Sequence, residues 1–332
     1  MQKDEFAFIQ SLISKKQHHS SLIKGIGDDA ALFRQEDGFE TVVSVDTMVE
    51  DIHFKKTTMR PFHVGYKALA VNLSDIAAMG GIPVFYLVSL AVPKNNWMKK
   101  NIETVTKGMA ELAEEFKVDL IGGDTVSSNH DLVVSVTVIG KVEKHRYLLR
   151  SNAKHGDVVF VTGSLGASSA GLSLLLENGL HHGYNRKQQL LIQQHQMPRP
   201  QIAAGRLLAQ KMCRIALNDI SDGLASEANE IAEASQTTLV IELEKIPQHE
   251  ALSGYDPDQI KQFVLFGGED FQLIGTTART DWNDIQRMFE KRSIQITEIG
   301  HVEAGKGEVY LASNGILEKL EKKGFNHFRT KE

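Results

Sequence analysis

Acidic side chains recur in this chain beside glycines and at the ends of apolar runs. Asp29 follows Gly25-Ile26-Gly27-Asp28, and Asp46 follows the β-branched run 41–45. Asp124 follows Ile121-Gly122-Gly123, Asp219 and Asp222 flank Ile220-Ser221 before Gly223, and Glu269-Asp270 follow Gly267-Gly268. Such positions project side chains into clefts and let backbone approach a ligand. Asp75 differs: it lies inside a helix opened by Pro61 and shares a face with Asn72 through the i, i+3 relation. Turns favour Asp and Gly on their own account. Acids gathered in one cleft, however, repel unless cations hold them. All-oxygen ligands point to Mg²⁺ or Mn²⁺ rather than zinc, and several such ions among carboxylates suit a polyphosphate. A nucleotide site is therefore expected.

Familiar phosphate signatures are missing. There is no Gly-x-x-x-x-Gly-Lys-Ser/Thr loop, and neither the His-Arg-Asp nor the Asp-Phe-Gly element of protein kinases occurs. Gly163-Ser164-Leu165-Gly166 lacks the spacing of a dinucleotide fingerprint and reads as a helix-opening turn.

Strand-length apolar runs alternate with helical patterns, so a mixed α/β (α+β) fold is expected. Strands are expected at 41–45, 84–92, 118–121, 132–142, 158–162 and 215–217. Helices are expected near the start behind Asp4, from Pro61 to Gly80-Gly81, over 97–116 and from Gly223. The polar segment 181–200, with Pro198 and Pro200, reads as a connection. A boundary between two domains is expected near 143–157. At 332 residues and 42% hydrophobic composition, each half is long enough to bury a core.

Composition removes several classes. Lys plus Arg is 37 against 42 for Asp plus Glu, a net charge of −5, which argues against a nucleic-acid partner. The single cysteine, Cys213, allows neither a disulfide framework nor a cysteine zinc site. The apolar runs are far shorter than the ~20 residues of a membrane span. Two early acids and no long apolar stretch argue against a secretory signal, so a cytoplasmic location is expected.

Taken in order, the segments resemble the thiamine-monophosphate kinases. They are Gly25-Ile26-Gly27-Asp28-Asp29-Ala30-Ala31, Ser44-Val45-Asp46-Thr47-Met48-Val49-Glu50 with His53-Phe54, and Lys67 to Gly80 around Asn72-Leu73-Ser74-Asp75. Gly122-Gly123-Asp124-Thr125, Asp219-Ile220-Ser221-Asp222-Gly223, Phe266-Gly267-Gly268-Glu269-Asp270 and Lys323-Gly324-Phe325 complete the set. The resemblance implies the two-domain fold of aminoimidazole ribonucleotide synthetase. Residues 1–148 would form an ATP- and Mg²⁺-binding domain that pairs in a homodimer, and 149–332 a C-terminal α/β domain. It implies phosphorylation of thiamine monophosphate by ATP, with several Mg²⁺ ions. By similarity, Asp29, Ser44, Asp46, Asp75, Asp124, Asp219 and Asp222 would hold metal, with Val45 contributing its backbone. Gly123, Asp124, Arg150 and Ser221 would contact ATP, and His53, Glu269 and Phe325 the thiamine phosphate. No general base or nucleophile is expected, because a phosphate monoester already carries an anionic oxygen at neutral pH. Two positions depart from the family pattern. Val105-Thr106 stands where the family has Phe-Tyr before a glycine, and Asp51 replaces a glycine after Val-Glu. Other enzymes of this fold, and a non-catalytic Mg-nucleotide sensor, are the competing readings.

Overall fold

A computed structural model describes residues 17–24, 32–94, 97 and 99–323. The chain divides into two compact units, one of 1–76 with 81–145 and one of 77–80 with 146–332.

The first unit is built on a four-stranded sheet of β3 (Phe39–Val49), β4 (Ile82–Pro93), β5 (Asp119–Ser128) and β6 (Val133–Glu143), alongside the short pair β1 (Leu22–Lys24) and β2 (Leu32–Phe33). Strand order is β3-β6-β4-β5, antiparallel except for the parallel β4–β5 pair. On β6, Val134, Val136 and Val138 are fully buried while their neighbours are half-buried, the period-2 pattern of a sheet with one covered face. Helix α1 (Pro61–Ala78) lies on that face, where the Cβ of a residue at Gly140 would meet the Ile76 side chain. On the opposite face Val43 and Val45 are 61% and 62% exposed.

Helix α2 (Lys99–Phe116) crosses α1 at backbone contact. A Cβ at Gly65 would fall 1.7 Å from the Val105 carbonyl oxygen, and one at Gly108 2.0 Å from that of Phe62. Val105, one of the three residues departing from the family pattern, is fully buried at this crossing. Gly108→Ala should therefore destabilise the protein by about 2 kcal/mol. The enforced backbone shift exceeds the ~1 kcal/mol gained in helix propensity. A lowered urea midpoint at unchanged slope would register it, and an unchanged midpoint would refute the crossing.

The second unit carries a seven-stranded sheet in the order β13-β12-β9-β11-β7-β10-β8. Its strands are β7 (Asp157–Thr162), β8 (Ile215–Asp219), β9 (Thr237–Glu242), β10 (Leu273–Ala278), β11 (Ile296–Ala304), β12 (Glu308–Ser313) and β13 (Ile316–Lys319). Helices cover both faces. Val159 and Val161 of β7 join one core with α3 (Ala167–Asn178), α4 (Arg186–Gln196), α6 (Leu224–Ser235) and α7 (Pro257–Phe266). Val158 and Phe160 join the other with α5 (Ile202–Gln210) and α8 (Arg279–Glu290). Burial on two sides is why β7 reads as an unbroken apolar run.

Three sequence expectations are corrected. Segment 181–200 is not only a connection, since it contains α4. Asn185 and Gln188 form a reciprocal capping box there, and Leu191 and Ile192 supply the buried face. Asp46 does not close its strand but lies well inside β3, and Asp124 lies inside β5 rather than in a glycine turn. Gly123 pairs with Val88 inside the strand, and the Val88 carbonyl leaves no room there for a side chain, since a Cβ would sit 2.1 Å from that oxygen. The helix expected behind Asp4 lies outside the described residues.

Candidate functional site

In the first unit, β3 and α1 bring three of the expected metal residues together. The Ser44 hydroxyl donates to Asp75 and lies 3.3 Å from Asn72 Oδ1, while Asn72 Nδ2 donates back to the Ala68 carbonyl. Asp46, two residues along the same strand face, is also hydrogen-bonded to Asp75. Burial, then the charge of Asp75 and that hydrogen bond, push the Asp46 carboxyl up to about 7. Two carboxylates driven together in this way need a shared proton or a cation. With a serine hydroxyl beside them, they fit a hard divalent ion.

Asp124 stands apart from this trio. The register sets it beside Ser89 and in line with Ser135 and Thr47, whose hydroxyls bond at 2.9 Å. Asp46 lies in the row of Val136, Val88 and Gly123, on the other face of the sheet. Among the described residues, no three His, Cys, Asp or Glu side chains converge closely enough to hold a metal by themselves. Asp29 and Phe325 lie outside the described residues.

His53 sits on a tight turn after β3. Its Nδ1 accepts from the Val49 N–H at 3.0 Å, which fixes the proton on Nε2. Asp51 in that turn has φ +63°, the conformation for which glycine is the usual choice and Asp a tolerated one. In this chain Asp51 thus takes up a turn conformation that glycine adopts without strain. Buried Glu50 anchors the segment, accepting from Trp97 Nε1 at 2.8 Å, Leu132 N–H at 3.0 Å and Lys56 Nζ at 2.9 Å.

In the second unit, the 219–223 turn joins β8 to α6, with Gly223 at φ +113° before the helix. Glu269 N–H bonds to the Ser221 carbonyl at 2.7 Å, and Phe271 N–H to that of Ile220 at 2.9 Å. Glu269 and Phe271 both have positive φ, at +67° and +48°. Non-glycine residues held in that region mark a segment whose surroundings over-determine it. Asp270 turns inward instead and accepts from the Gly166 and Ser168 N–H groups at 2.7 and 3.1 Å, capping α3. Gly163-Ser164-Leu165-Gly166 is accordingly a helix-opening turn. Arg150 lies in a short 3₁₀ turn (Arg150–Asn152); its Nε donates to Asn218 Oδ1 and its Nη1 pairs with Glu230, both at 2.9 Å.

Family models match both units: "AIR synthase related protein, N-terminal domain" over residues 27–142 and the corresponding C-terminal domain over 154–312. A thiamine-monophosphate kinase of Bacillus subtilis (strain 168) is 50% identical over 327 residues, covering 98% of this chain and all of that one. The chain belongs to the thiamine-monophosphate kinase family. Two solved structures agree with this. A thiamine-monophosphate kinase from Stenotrophomonas maltophilia K279a has a TM-score of 0.82 at 30% identity, covering 93% of this chain and 95% of that one. AaThiL, complexed with AMPPCP and TMP, has a TM-score of 0.77 at 34% identity, covering 98% and 97%. The α/β fold expected from the resemblance is thereby established.

Sequence reasoning about this thiamine-monophosphate kinase family member missed residues that the fold places beside the motifs. Glu227, 2% exposed, accepts from Asn218 Nδ2 at 2.5 Å, the Ser221 hydroxyl at 3.2 Å and the Asp222 N–H at 3.1 Å. Burial, followed by the charges of Glu230 and Asp219, pushes its carboxyl up to about 8. An acid in the first turn of a helix opened by Asp-Gly was the available signal. His195 on α4 is 1% exposed and places Nδ1 3.3 Å from Glu269 Oε2 and 3.3 Å from the Ser168 hydroxyl. Nothing in its polar sequence neighbourhood pointed there.

Proposed function

We infer that this chain transfers the γ-phosphoryl group of ATP to the phosphate of thiamine monophosphate, giving thiamine diphosphate and ADP. The observation that carries this reading is the full-length 50% identity to the Bacillus subtilis kinase. The acceptor is anionic at neutral pH, so positioning and charge neutralisation suffice, and the reaction is a direct in-line attack without a phosphoenzyme. Asp46, Asp75 and Ser44 in the first unit, and Asp219 and Asp222 in the second, are the residues proposed to hold Mg²⁺. Asp29, Asp124 and the Val45 backbone are proposed as further ligands. Bound Mg²⁺ supplies neutralisation of phosphate charge. Arg150 offers a planar fork to phosphate, with Ser221, Gly123 and Asp124 as further ATP contacts. His53 presents an Nε2–H suited to the substrate phosphate. The Glu269 carboxylate and the Phe325 ring suit its cationic thiazolium.

We place the enzyme in the cytoplasm, where its co-substrate ATP is made, and read it as a homodimer. Val43 and Val45 of the edge strand β3 are exposed on the open sheet face of the first unit, apolar surface of the kind a second copy covers in a symmetric pair. No described helix is long and apolar enough to cross a membrane.

The test is ADP release by the purified chain with Mg-ATP and either thiamine monophosphate or thiamine. Turnover with thiamine monophosphate alone, abolished by EDTA, is the expected result. ATP binding that no acceptor converts to ADP would support the nucleotide-sensor reading instead. A phosphorylated protein intermediate on the path to product would overturn the direct transfer.

A further inference from the structure

We propose that Glu227 is the positioning residue of the ATP half-site in the second unit, holding the 219–223 turn and, through Asn218, the Arg150 side chain. The inference rests on the assignment of Ser221, Asp222 and Arg150 to ATP and its metal. Glu227 sits one turn into α6 and is almost wholly buried, yet it points back at the turn that precedes its own helix. One of its oxygens accepts from both the Ser221 hydroxyl and the Asp222 N–H, at 3.2 and 3.1 Å. The other accepts from Asn218 Nδ2 at 2.5 Å. Asn218 in turn uses its own oxygen to accept from Arg150 Nε at 2.9 Å. The chain Ser221–Glu227–Asn218–Arg150 is therefore continuous and directional.

Three donors converge on this side chain, and both of its carboxyl oxygens are used as acceptors. A glutamine has the same shape but one acceptor oxygen, so its NH₂ must face either Asn218 Nδ2 or the pair on Ser221 and Asp222. The Asn218 NH₂ donates closely to Glu227 and more distantly, at 3.3 Å, to Glu230, and fixing it also fixes which end of the amide faces Arg150. The guanidinium is thereby held with Nε inward, and Nη1 is taken by Glu230 at 2.9 Å. The remaining guanidinium edge stays available on a side chain that is 51% exposed. With three donors already on its oxygens, Glu227 acts through Ser221, Asp222 and Arg150 rather than on the nucleotide.

The experiment uses the full-length chain carrying Glu227→Gln. The dissociation constant of AMPPCP with Mg²⁺ is measured by calorimetry, the KM for thiamine monophosphate by ADP release, and Asp222 amide exchange without ligands. The expected result is AMPPCP binding weakened about tenfold or more, as leaving a buried donor of the turn without its acceptor implies. The KM for thiamine monophosphate should change by no more than about twofold, and the Asp222 amide should exchange faster. Asn218→Leu, which breaks the link at its other end, should reproduce the same split, and the double variant should lose little more than either single one. Equal losses for nucleotide and thiamine monophosphate, or AMPPCP binding unaffected in both variants, would overturn the inference. Wild-type chain that binds AMPPCP tightly but ignores these substitutions sinks only the positioning role. Wild-type chain that does not bind AMPPCP sinks the functional assignment beneath it.

Discussion

Asp46→Asn should lower kcat/KM by about a thousandfold while making the metal-free protein more stable at pH 8. The loss of activity follows from removing one carboxylate of the Asp46–Asp75 pair. Charge stabilisation by a bound metal is worth several kcal/mol, and ~4 kcal/mol is a factor of about a thousand. The gain in stability follows from linkage. The folded-state Asp46 carboxyl titrates near 7, well above the ~3.9 of an unfolded chain. Folding therefore favours its protonated form, so this contribution is complete below about pH 4 and lost as pH climbs through 7. The full displacement corresponds to ~4 kcal/mol, and residual solvent contact trims this to roughly 2 kcal/mol. Wild-type protein in EDTA should lose that much between pH 4 and 8, whereas Asp46→Asn should not. Saturating Mg²⁺ should restore wild-type stability at pH 8 and leave the variant unmoved. Urea titrations at pH 5 and pH 8, with and without metal, separate these cases. A variant that is less active and also less stable at pH 8 would make Asp46 a structural residue.

Arg150→Ala should raise the KM for ATP by about 30- to 100-fold, since charge-assisted bonds to phosphate contribute about 2–3 kcal/mol. The KM for thiamine monophosphate should move by less than about threefold, and stability by less than about 1 kcal/mol. Its pair with Glu230 is half exposed, and such ion pairs add little to folding. Arg150→Lys should recover only a small part of the affinity. One ammonium cannot serve Asn218 Oδ1, Glu230 and a phosphate together, as the guanidinium fork can. Steady-state kinetics with each substrate varied in turn decides the matter. Equal rises in both KM values, or a large fall in the unfolding midpoint, would reassign Arg150 to structure.

Much of the chemistry was legible in the sequence because it depends on residue type and local spacing. The motifs around Asp46, Asp75, Asp219 and Glu269 identified the family, and the i, i+3 relation set Asn72 and Asp75 on one helix face, which the fold turns toward Ser44. The Pro61 helix and the Gly163–Gly166 turn were legible for the same reason: proline and positive-φ glycine act on the chain within a few residues. What the sequence could not determine was strand extent and register. β3 runs to Val49 and β5 to Ser128, because pairing with β6 and β4 continues past the residues whose own preference is for turns. That pairing sends Asp46 and Asp124 to opposite faces of one sheet, a consequence of period-2 pleating that acts only once partners are chosen. Helix α4 escaped notice because its stability comes from burying Leu191 and Ile192, with Leu190 beside them, against another element, while its other residues are polar. Glu227 and His195 belong to the same category. Their hydrogen bonds join residues that only the folded chain brings together, from the 218–222 strand end and turn to α6 and from α4 to Glu269. Tertiary structure decided which buried carboxylate serves the turn and which acids meet, since charge and hydrogen bonding act through space and not along the chain.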